Sequence, residues 1–342
     1  MNNNNSYVYN SYSSSGLNNN ENMSEERLAY LIEKEDMINK RRKRSKTIGR
    51  SFLIIVILVV GLYLYINYFR PVKIDNRIDK NSIHYLTDLY YSDGRFYEKY
   101  LDEKEKKVYL HIFNDLKEVK TKTYIDCTNY GYESKAECAS SINKMIDVIL
   151  MDHPDMFWYR TSSGRYSDAH GIELDHHLVS TNKFQLYFVE RKLLRKIDSV
   201  TKDLEKVSDY EKVKGIYDWL GVNKSYSDFI MTRKDGTAWS AILDKDTVCA
   251  GYAAATQLFL QRLGIESFLI TGSTGGPHAW NMVELEDGYY WYDATVGGSV
   301  GPDSDWFYRG LLFSATGDYS VDIVNLEEYT FGTKYLDREL KK

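Results

Sequence analysis

DKDTVCAGYAAATQLFLQRLGIESFLITGSTGGPHAWNMVELEDGYYWYDATVGG, residues 244–298, contains the strongest structural signal in the chain. After Cys249, apolar residues recur at helical spacing as far as Leu263, and Gly264 follows the last of them. This pattern predicts a helix that begins at Cys249 and is capped by Gly264. The free N–H groups and the dipole at a helix N-terminus favour an anion, so a thiol there becomes a nucleophilic thiolate more easily.

A strand and a β-hairpin are predicted to follow this helix. Residues 266–271 are short and apolar, residues 272–276 are a glycine-rich turn, and the arms HAWNMVEL and YYWYDA are joined by a turn at residues 286–288. Because side chains alternate along strands, the hairpin places His278 and Asp293 on the same face of adjacent strands. A carboxylate beside an imidazole fixes its tautomer and stabilises its protonated form, as a base serving a cysteine requires.

Each of these residues also has a simpler interpretation. A lone cysteine at a helix start is often a small buried hydrophobic residue, and a histidine in a strand is often a core residue with its hydrogen bonds satisfied. The order Cys, His, Asp on helix, strand and strand favours the catalytic interpretation.

The motifs around these three residues resemble the core of the transglutaminase-like superfamily, which shares the papain-type cysteine-protease triad. They are VCAGYA at Cys249, RLGIES at the helix end, HAWNMVEL at His278 and YYWYDAT at Asp293. YEKVKGIYDWL and TAWSAILDKDTVCAGY resemble the segments leading into that core, and DHPDMFWY resembles membrane-anchored bacterial proteins of this kind. The resemblance implies an α+β fold in which the helix bearing Cys249 packs on an antiparallel sheet bearing His278 and Asp293.

An acyl-transfer enzyme also needs donors for an oxyanion. The backbone N–H of Cys249 is the natural first donor. Trp239 and Trp280 lie near the motifs in sequence, and either indole can form a wall of the cleft or donate its N–H. The alternative is that both are ordinary core tryptophans.

The N-terminal part of the chain is predicted to be a tail and a membrane anchor. Residues 1–50 begin with a low-complexity tract rich in Asn, Ser and Tyr and end in the basic run 40–46, so we expect a disordered cytoplasmic tail with at most a frayed helix over residues 24–38. Residues 52–69 contain no charge and would span about 27 Å as a helix, which predicts a transmembrane helix over residues 51–69. The long polar segment before it argues against a cleaved signal peptide.

The charges set the orientation and exclude one class of partner. Seven basic residues lie just before the apolar run against four just after it, so the positive-inside rule places the N-terminus in the cytoplasm and everything after residue 70 outside. Residues 1–50 carry a net charge of +3 against −5 for the whole chain, which leaves about −8 on the remainder. An acidic exported region is not expected to bind nucleic acid.

Residues 70–200 are predicted to be a mainly helical exported region, and residues 201–342 the catalytic core. Helices are predicted over residues 84–91, 96–116 and 136–151, and a strand over residues 184–189 before a further amphipathic helix. A capping box at Ser208 opens the next helix. His170, His176 and His177 lack metal-site spacing and are interpreted as surface or turn residues.

The remaining cysteines suit an exported domain. Cys127 and Cys138 can pair as a disulfide, which would leave Cys249 as the free thiol, and the alternative is two reduced thiols. The sequence therefore predicts a membrane-anchored Cys-His-Asp enzyme of the cell surface, with no metal or other cofactor, that acts on a peptide or protein amide, for example in a cell-wall or surface protein. Hydrolysis is slightly favoured over transfer to an amine, and a non-catalytic binding module is the hypothesis from another class.

Overall fold

The computed structural model describes residues 25–65, 96–228, 232, 234–314 and 319–336. The chain divides into two compact units, Met1–Ile66 and Asn67–Lys342. The boundary predicted at residue 200 therefore does not separate two compact units. The predicted helix over residues 84–91 lies outside the described residues.

The first unit contains one long helix, α1 (Glu25–Leu64). Within the described residues it is the one helix long and apolar enough to cross a membrane, with an 18-residue window of mean hydropathy 2.2 and none of that window buried, properties that a signal sequence shares. The prediction of disorder is wrong for residues 25–50, because the helix runs through them without a break. This segment lacks proline and contains an i,i+4 ion pair, Asp36–Lys40 at 2.9 Å. Residues 1–24 lie outside the described part of the chain.

The second unit begins with helices and a small sheet. A 3-10 turn, Tyr97–Tyr100, precedes α2 (Glu103–Lys117), whose N-cap Asp102 forms a capping box with Glu105. The helix predicted over residues 96–116 is therefore interrupted at this cap. The helix predicted over residues 136–151 is confirmed as α3 (Lys135–Asp152).

Three strands lie in the region that was predicted to be mainly helical. They are β1 (Lys122–Asp126), β2 (Tyr159–Tyr166) and β3 (Gly171–Leu178), and they form an antiparallel sheet of order β1-β3-β2. The sequence YRTSSGRY of β2 has no alternation of apolar and polar residues, and much of the strand is exposed. A strand of this kind gives no period-2 signal, which is why the sequence did not indicate it.

The segment that follows contains two helices joined by a turn at residues 202–208. It forms α4 (Lys183–Thr201) and α5 (Asp209–Asn223), and the capping box predicted at Ser208 is confirmed with Glu211. The strand predicted over residues 184–189 is wrong. Asn182 caps α4 by accepting a hydrogen bond from the Gln185 backbone N–H, and the buried positions of α4 recur at helical spacing.

The last part of the unit packs one helix on a four-stranded sheet. Short elements β4 (Ser225–Tyr226), α6 (Ala238–Leu243) and β5 (Asp246–Thr247) precede α7 (Cys249–Arg262), β6 (Ser267–Ser273), β7 (Pro277–Leu285), β8 (Gly288–Tyr292), α8 (Ala294–Val300) and β9 (Ser320–Val321). The sheet is antiparallel in the order β8-β7-β6-β9, and α7 packs against β6 and β7. Gly264 has a left-handed φ of 75° just after α7, as expected for the predicted cap. The predicted helix, strand and hairpin are all confirmed.

Helix α3 also packs against β6, so the region before residue 198 covers part of this sheet. The Tyr97 hydroxyl donates to the Leu269 carbonyl at 2.8 Å, and the Thr271 hydroxyl donates to the Met151 sulfur at 3.4 Å. Residues far apart in the sequence therefore fix the strand that pairs with β7.

Candidate active site

Cys249 is the first residue of α7 and is half-buried. The N-cap residue Val248 makes no side-chain hydrogen bond to the helix, so no side chain competes for the N-terminal N–H groups. Burial raises the pKa of the Cys249 thiol, but the hydrogen bond and charge of His278, with the backbone N–H groups of Ala279 and Ala250, outweigh it and lower the pKa below its usual value. The local environment therefore favours a thiolate.

His278 lies at the start of β7, opposite Gly272 of β6. Its Nε2 is 2.8 Å from Oδ2 of Asp293, and because a carboxylate only accepts, Nε2 donates. Nδ1 is then the ring nitrogen left to act on the thiol of Cys249. Burial lowers the pKa of His278, but Asp293 and Cys249 together raise it to about 9.

Asp293 follows the last residue of β8 and is the N-cap of α8. Its side chain is 3% exposed, and Oδ1 accepts a hydrogen bond of 3.0 Å from the Thr295 backbone N–H. Its own N–H donates to the Gly310 carbonyl at 2.7 Å. The backbone and the helix cap therefore fix the carboxylate that faces His278.

The structure thus brings Cys249, His278 and Asp293 together in a chain of contacts. A thiol, an imidazole and a carboxylate in this order can generate a thiolate, shuttle one proton and hold the imidazole in one tautomer. This is the arrangement that an acyl transfer through a thioester requires.

Sequence reasoning missed a fourth side chain in this chain of contacts. The Tyr319 hydroxyl donates to Oδ2 of Asp293 at 2.9 Å, and the Tyr319 ring lies 6.2 Å from the His278 ring. No signal in the sequence distinguishes this residue, because it is one of 30 tyrosines and lies outside any quoted motif.

Neither tryptophan is among the described residues that line the cleft beside Cys249, although the ring of Trp280 stacks on that of His278 at 5.9 Å. Trp280 is 1% exposed and packs its ring edge-on to Trp291 at 5.5 Å, and its Nε1 is buried with no hydrogen-bond partner among the described residues. Trp239 packs edge-on to Phe157 at 6.1 Å. Trp280 is thus a buried core residue, and Trp239 is half-buried against the core.

A cleft of about 510 Å³ opens beside Cys249. Its described lining contains neither tryptophan and is mostly apolar, and it comes from two parts of the chain, residues 150–161 and residues 226–279. Tyr159 and Arg160 are among the first group, and Val248 and Cys249 among the second. The region before residue 198 therefore supplies part of the cleft wall beside Cys249.

No group of three or more His, Cys, Asp or Glu side chains in the described part of the chain could hold a metal ion.

His170 and His177 are exposed as predicted, but His176 is buried, which corrects its interpretation as a surface residue. His176 bonds Ser162 Oγ at 2.6 Å and Thr123 Oγ1 at 2.8 Å, and burial lowers its pKa to about 4. It is a neutral link between the strands of the small sheet.

Cys127 and Cys138 form a disulfide in the structure, and Cys249 is a free cysteine. Cys127 directly follows β1, and Cys138 lies in the first turn of α3. The bond therefore joins the small sheet to the helix that covers β6.

Residues 198–295 match the family model described as the transglutaminase-like superfamily. This segment contains Cys249, His278 and Asp293, and the chain therefore carries a transglutaminase-like domain. No curated protein matches the chain.

The solved structures to which the chain is similar include the following two. One is a proposed cysteine protease from Cytophaga hutchinsonii, with 20% identity, a TM-score of 0.28, and coverage of 35% of this chain and 40% of that one. The other is a TGase, with 12% identity, a TM-score of 0.30, and coverage of 50% of this chain and 51% of that one. The chain thus spans about half or less of the length of either structure.

Proposed function

We propose that the protein is a cysteine acyl transferase or hydrolase that acts on peptide or protein amides. The observation that carries this proposal is the hydrogen bond between His278 and Asp293 at 2.8 Å, with the Cys249 thiol, whose pKa His278 lowers, at a helix N-terminus beside a cleft. Cys249 attacks the amide carbonyl, His278 delivers its proton to the leaving amine, and the product is a thioester. The backbone N–H of Cys249 serves as an oxyanion donor.

Water is the proposed second nucleophile. The cleft is bordered by exposed residues, among them Asp228 and Pro277, so solvent reaches the thioester. His278 then removes a proton from water and the carboxylic acid leaves Cys249 free. Transfer to an amine, which would make the protein a cross-linking transglutaminase, is the second candidate because it begins with the same thioester.

One assay separates these reactions. A fragment of residues 75–342 is incubated with a glutamine-rich protein and a fluorescent primary amine, and amine incorporation and new peptide N-termini are measured together. New N-termini without amine incorporation support hydrolysis. Amine incorporation without cleavage would mean that an amine, and not water, is the second nucleophile. If neither occurs and Cys249 labels no faster than reduced Cys127 and Cys138, the protein is a binding module on this scaffold.

We further propose that α1 anchors the enzyme in the cell membrane, with the catalytic unit outside the cytoplasm. The basic residues 40–46 directly precede the apolar half of α1, which favours a cytoplasmic N-terminus. Cell-wall or surface proteins are then the accessible substrates. Protease added to intact cells should remove the catalytic unit and spare residues 1–50, and protection of that unit would contradict this topology.

A further inference from the structure

The site contains a hydrogen bond that the triad chemistry does not itself require. Oδ2 of Asp293 accepts from two donors, Nε2 of His278 at 2.8 Å and the hydroxyl of Tyr319 at 2.9 Å. Oδ1 accepts from the Thr295 backbone N–H at 3.0 Å. Tyr319 therefore contributes one of the three hydrogen bonds that the described residues make to this carboxylate.

The position of Tyr319 is fixed from both sides. Its ring packs edge-on to Trp280 at 5.0 Å and against Phe313 at 5.1 Å. The next two residues form β9, which pairs with Gly272 and Ser273 at the end of β6. Gly272 also pairs with His278 across the other edge of β6. The end of β6 therefore helps to position both donors to Oδ2 of Asp293, which are His278 and Tyr319.

A carboxylate as buried as that of Asp293 depends on its hydrogen bonds for both charge stabilisation and orientation. The Thr295 N–H bonds only Oδ1, so without Tyr319 the oxygen that faces His278 would keep His278 as its one hydrogen-bond partner among the described residues. The carboxylate could then rotate about the bond to its Cβ, and the imidazole would lose its fixed orientation.

We propose that Tyr319, outside the segment that matches the family model, is a positioning residue of the active site, which holds Asp293 and through it His278. This inference rests on the proposed role of the triad. Tyr319 is not among the residues that line the described cleft, so its proposed role is carried by its hydrogen bond to Asp293.

The test is Tyr319→Phe, which removes the hydroxyl and keeps the ring that packs on Trp280. Tyr335→Phe is the matched control, because the Tyr335 hydroxyl also donates to a carboxylate of the same hairpin, that of Glu286, but at its turn and away from the triad. The readout is the rate of Cys249 labelling by iodoacetamide against pH, which needs no substrate, with thermal unfolding measured on the same samples.

Tyr319→Phe should raise the pH midpoint of labelling by about one unit, so that labelling below the midpoint is about tenfold slower, and Tyr335→Phe should not. In an Asp293→Asn background, Tyr319→Phe should have little further effect, because both changes break the same contact. A Tyr319→Phe profile equal to that of the parent, a downward shift, or full additivity with Asp293→Asn would overturn the inference.

These outcomes are separable from failure of the proposed function. If Cys249 in the unaltered protein titrates like a free cysteine, near 8.5, the triad itself is not activated and the proposed function fails. If Cys249 is activated and Tyr319→Phe leaves it so, only the role of Tyr319 fails.

Discussion

Gly272 and Ser320 are packed so closely that no side chain fits between them. A Cβ at position 272 would collide with the carbonyl oxygen of Ser320, and it would also lie 2.8 Å from the Trp280 ring. Glycine at this position is therefore what allows β9 to pair beside His278. The contact links the end of β6 to the segment that carries Tyr319.

Gly272→Ala should push β9 away from β6 and weaken the active site. We expect a loss of roughly 1–3 kcal/mol in the free energy of unfolding, the usual cost of overpacking, together with slower labelling of Cys249. Urea unfolding and iodoacetamide labelling check the two effects. Gly276→Ala is the matched control, since a Cβ there meets nothing within 4 Å, and equal behaviour of the two variants would contradict the prediction.

Substitutions in the triad should have graded effects on turnover. Cys249→Ala should reduce it to background because no thioester forms, and His278→Ala nearly as far because the thiolate loses its proton carrier. Asp293→Asn should retain roughly ten to a hundred times more activity than His278→Ala, since nucleophile and base remain in place. The measurement is turnover on whichever substrate the amine and N-terminus assay identifies. Full activity in Cys249→Ala would exclude a thioester.

The pH dependence of turnover should follow from the shifted pKa values of Cys249 and His278. The pKa of Cys249 is lowered and that of His278 is raised to about 9, so a thiolate–imidazolium pair exists between these values. Turnover should fall as pH rises through about 9, where His278 loses the proton that the leaving group needs. A pH–rate profile checks this limb, and activity that keeps rising well above pH 9 would contradict it.

The thiolate–imidazolium pair also predicts how His278→Ala changes the pKa of the Cys249 thiol. Burial alone raises the pKa of Cys249, so without His278 the midpoint of labelling should move up to the free-cysteine value of about 8.5 or higher. Labelling of Cys249 against pH in the two proteins measures the shift. An unchanged midpoint would show that the helix N-terminus, and not His278, activates the thiol.

The disulfide should stabilise the second unit. Cys127 and Cys138 are separated by 11 residues, and closing a loop of this size contributes about 2–3 kcal/mol by constraining the unfolded chain. Urea unfolding with and without reductant, in a Cys249→Ser background that removes the free thiol, should show this difference. Identical unfolding free energies would mean that the bond is absent or carries no stability.

The sequence predicted the elements that carry the triad because each has a strong local signal. The helix from Cys249 has a helical apolar pattern and a glycine cap, and the hairpin from His278 to Asp293 has two arms of β-forming residues around a turn. In these elements the local pattern and the tertiary structure agree. The proximity of His278 and Asp293 then follows from strand alternation.

Other features depend on contacts between distant residues, which one sequence does not show. Tyr319 reaches Asp293 because β9 pairs with β6, and nothing near residue 319 indicates that pairing. Phe184 to Val189 contains enough aromatic and β-branched residues to resemble a strand, but the helix cap at Asn182 and packing against the core make it helical. Strand β2 is polar enough to have no periodic signal, whereas Ile172, Leu174 and Leu178 of β3 do alternate with polar residues over a stretch that the sequence reading did not assign to a strand.

Helix α3 covers β6, and residues 150–161 line the cleft. The part of the chain before residue 198 is therefore needed to complete the site. A fragment cut at residue 198 would keep all three triad residues and would still be recognisable by its motifs. It would nevertheless lose the partners of Leu269 and Thr271 on β6 and expose apolar surface that is now buried. The smallest fragment that keeps the cleft whole is therefore larger than the recognisable domain, and we expect truncations designed from the motifs alone to be aggregation-prone and to have an incomplete cleft.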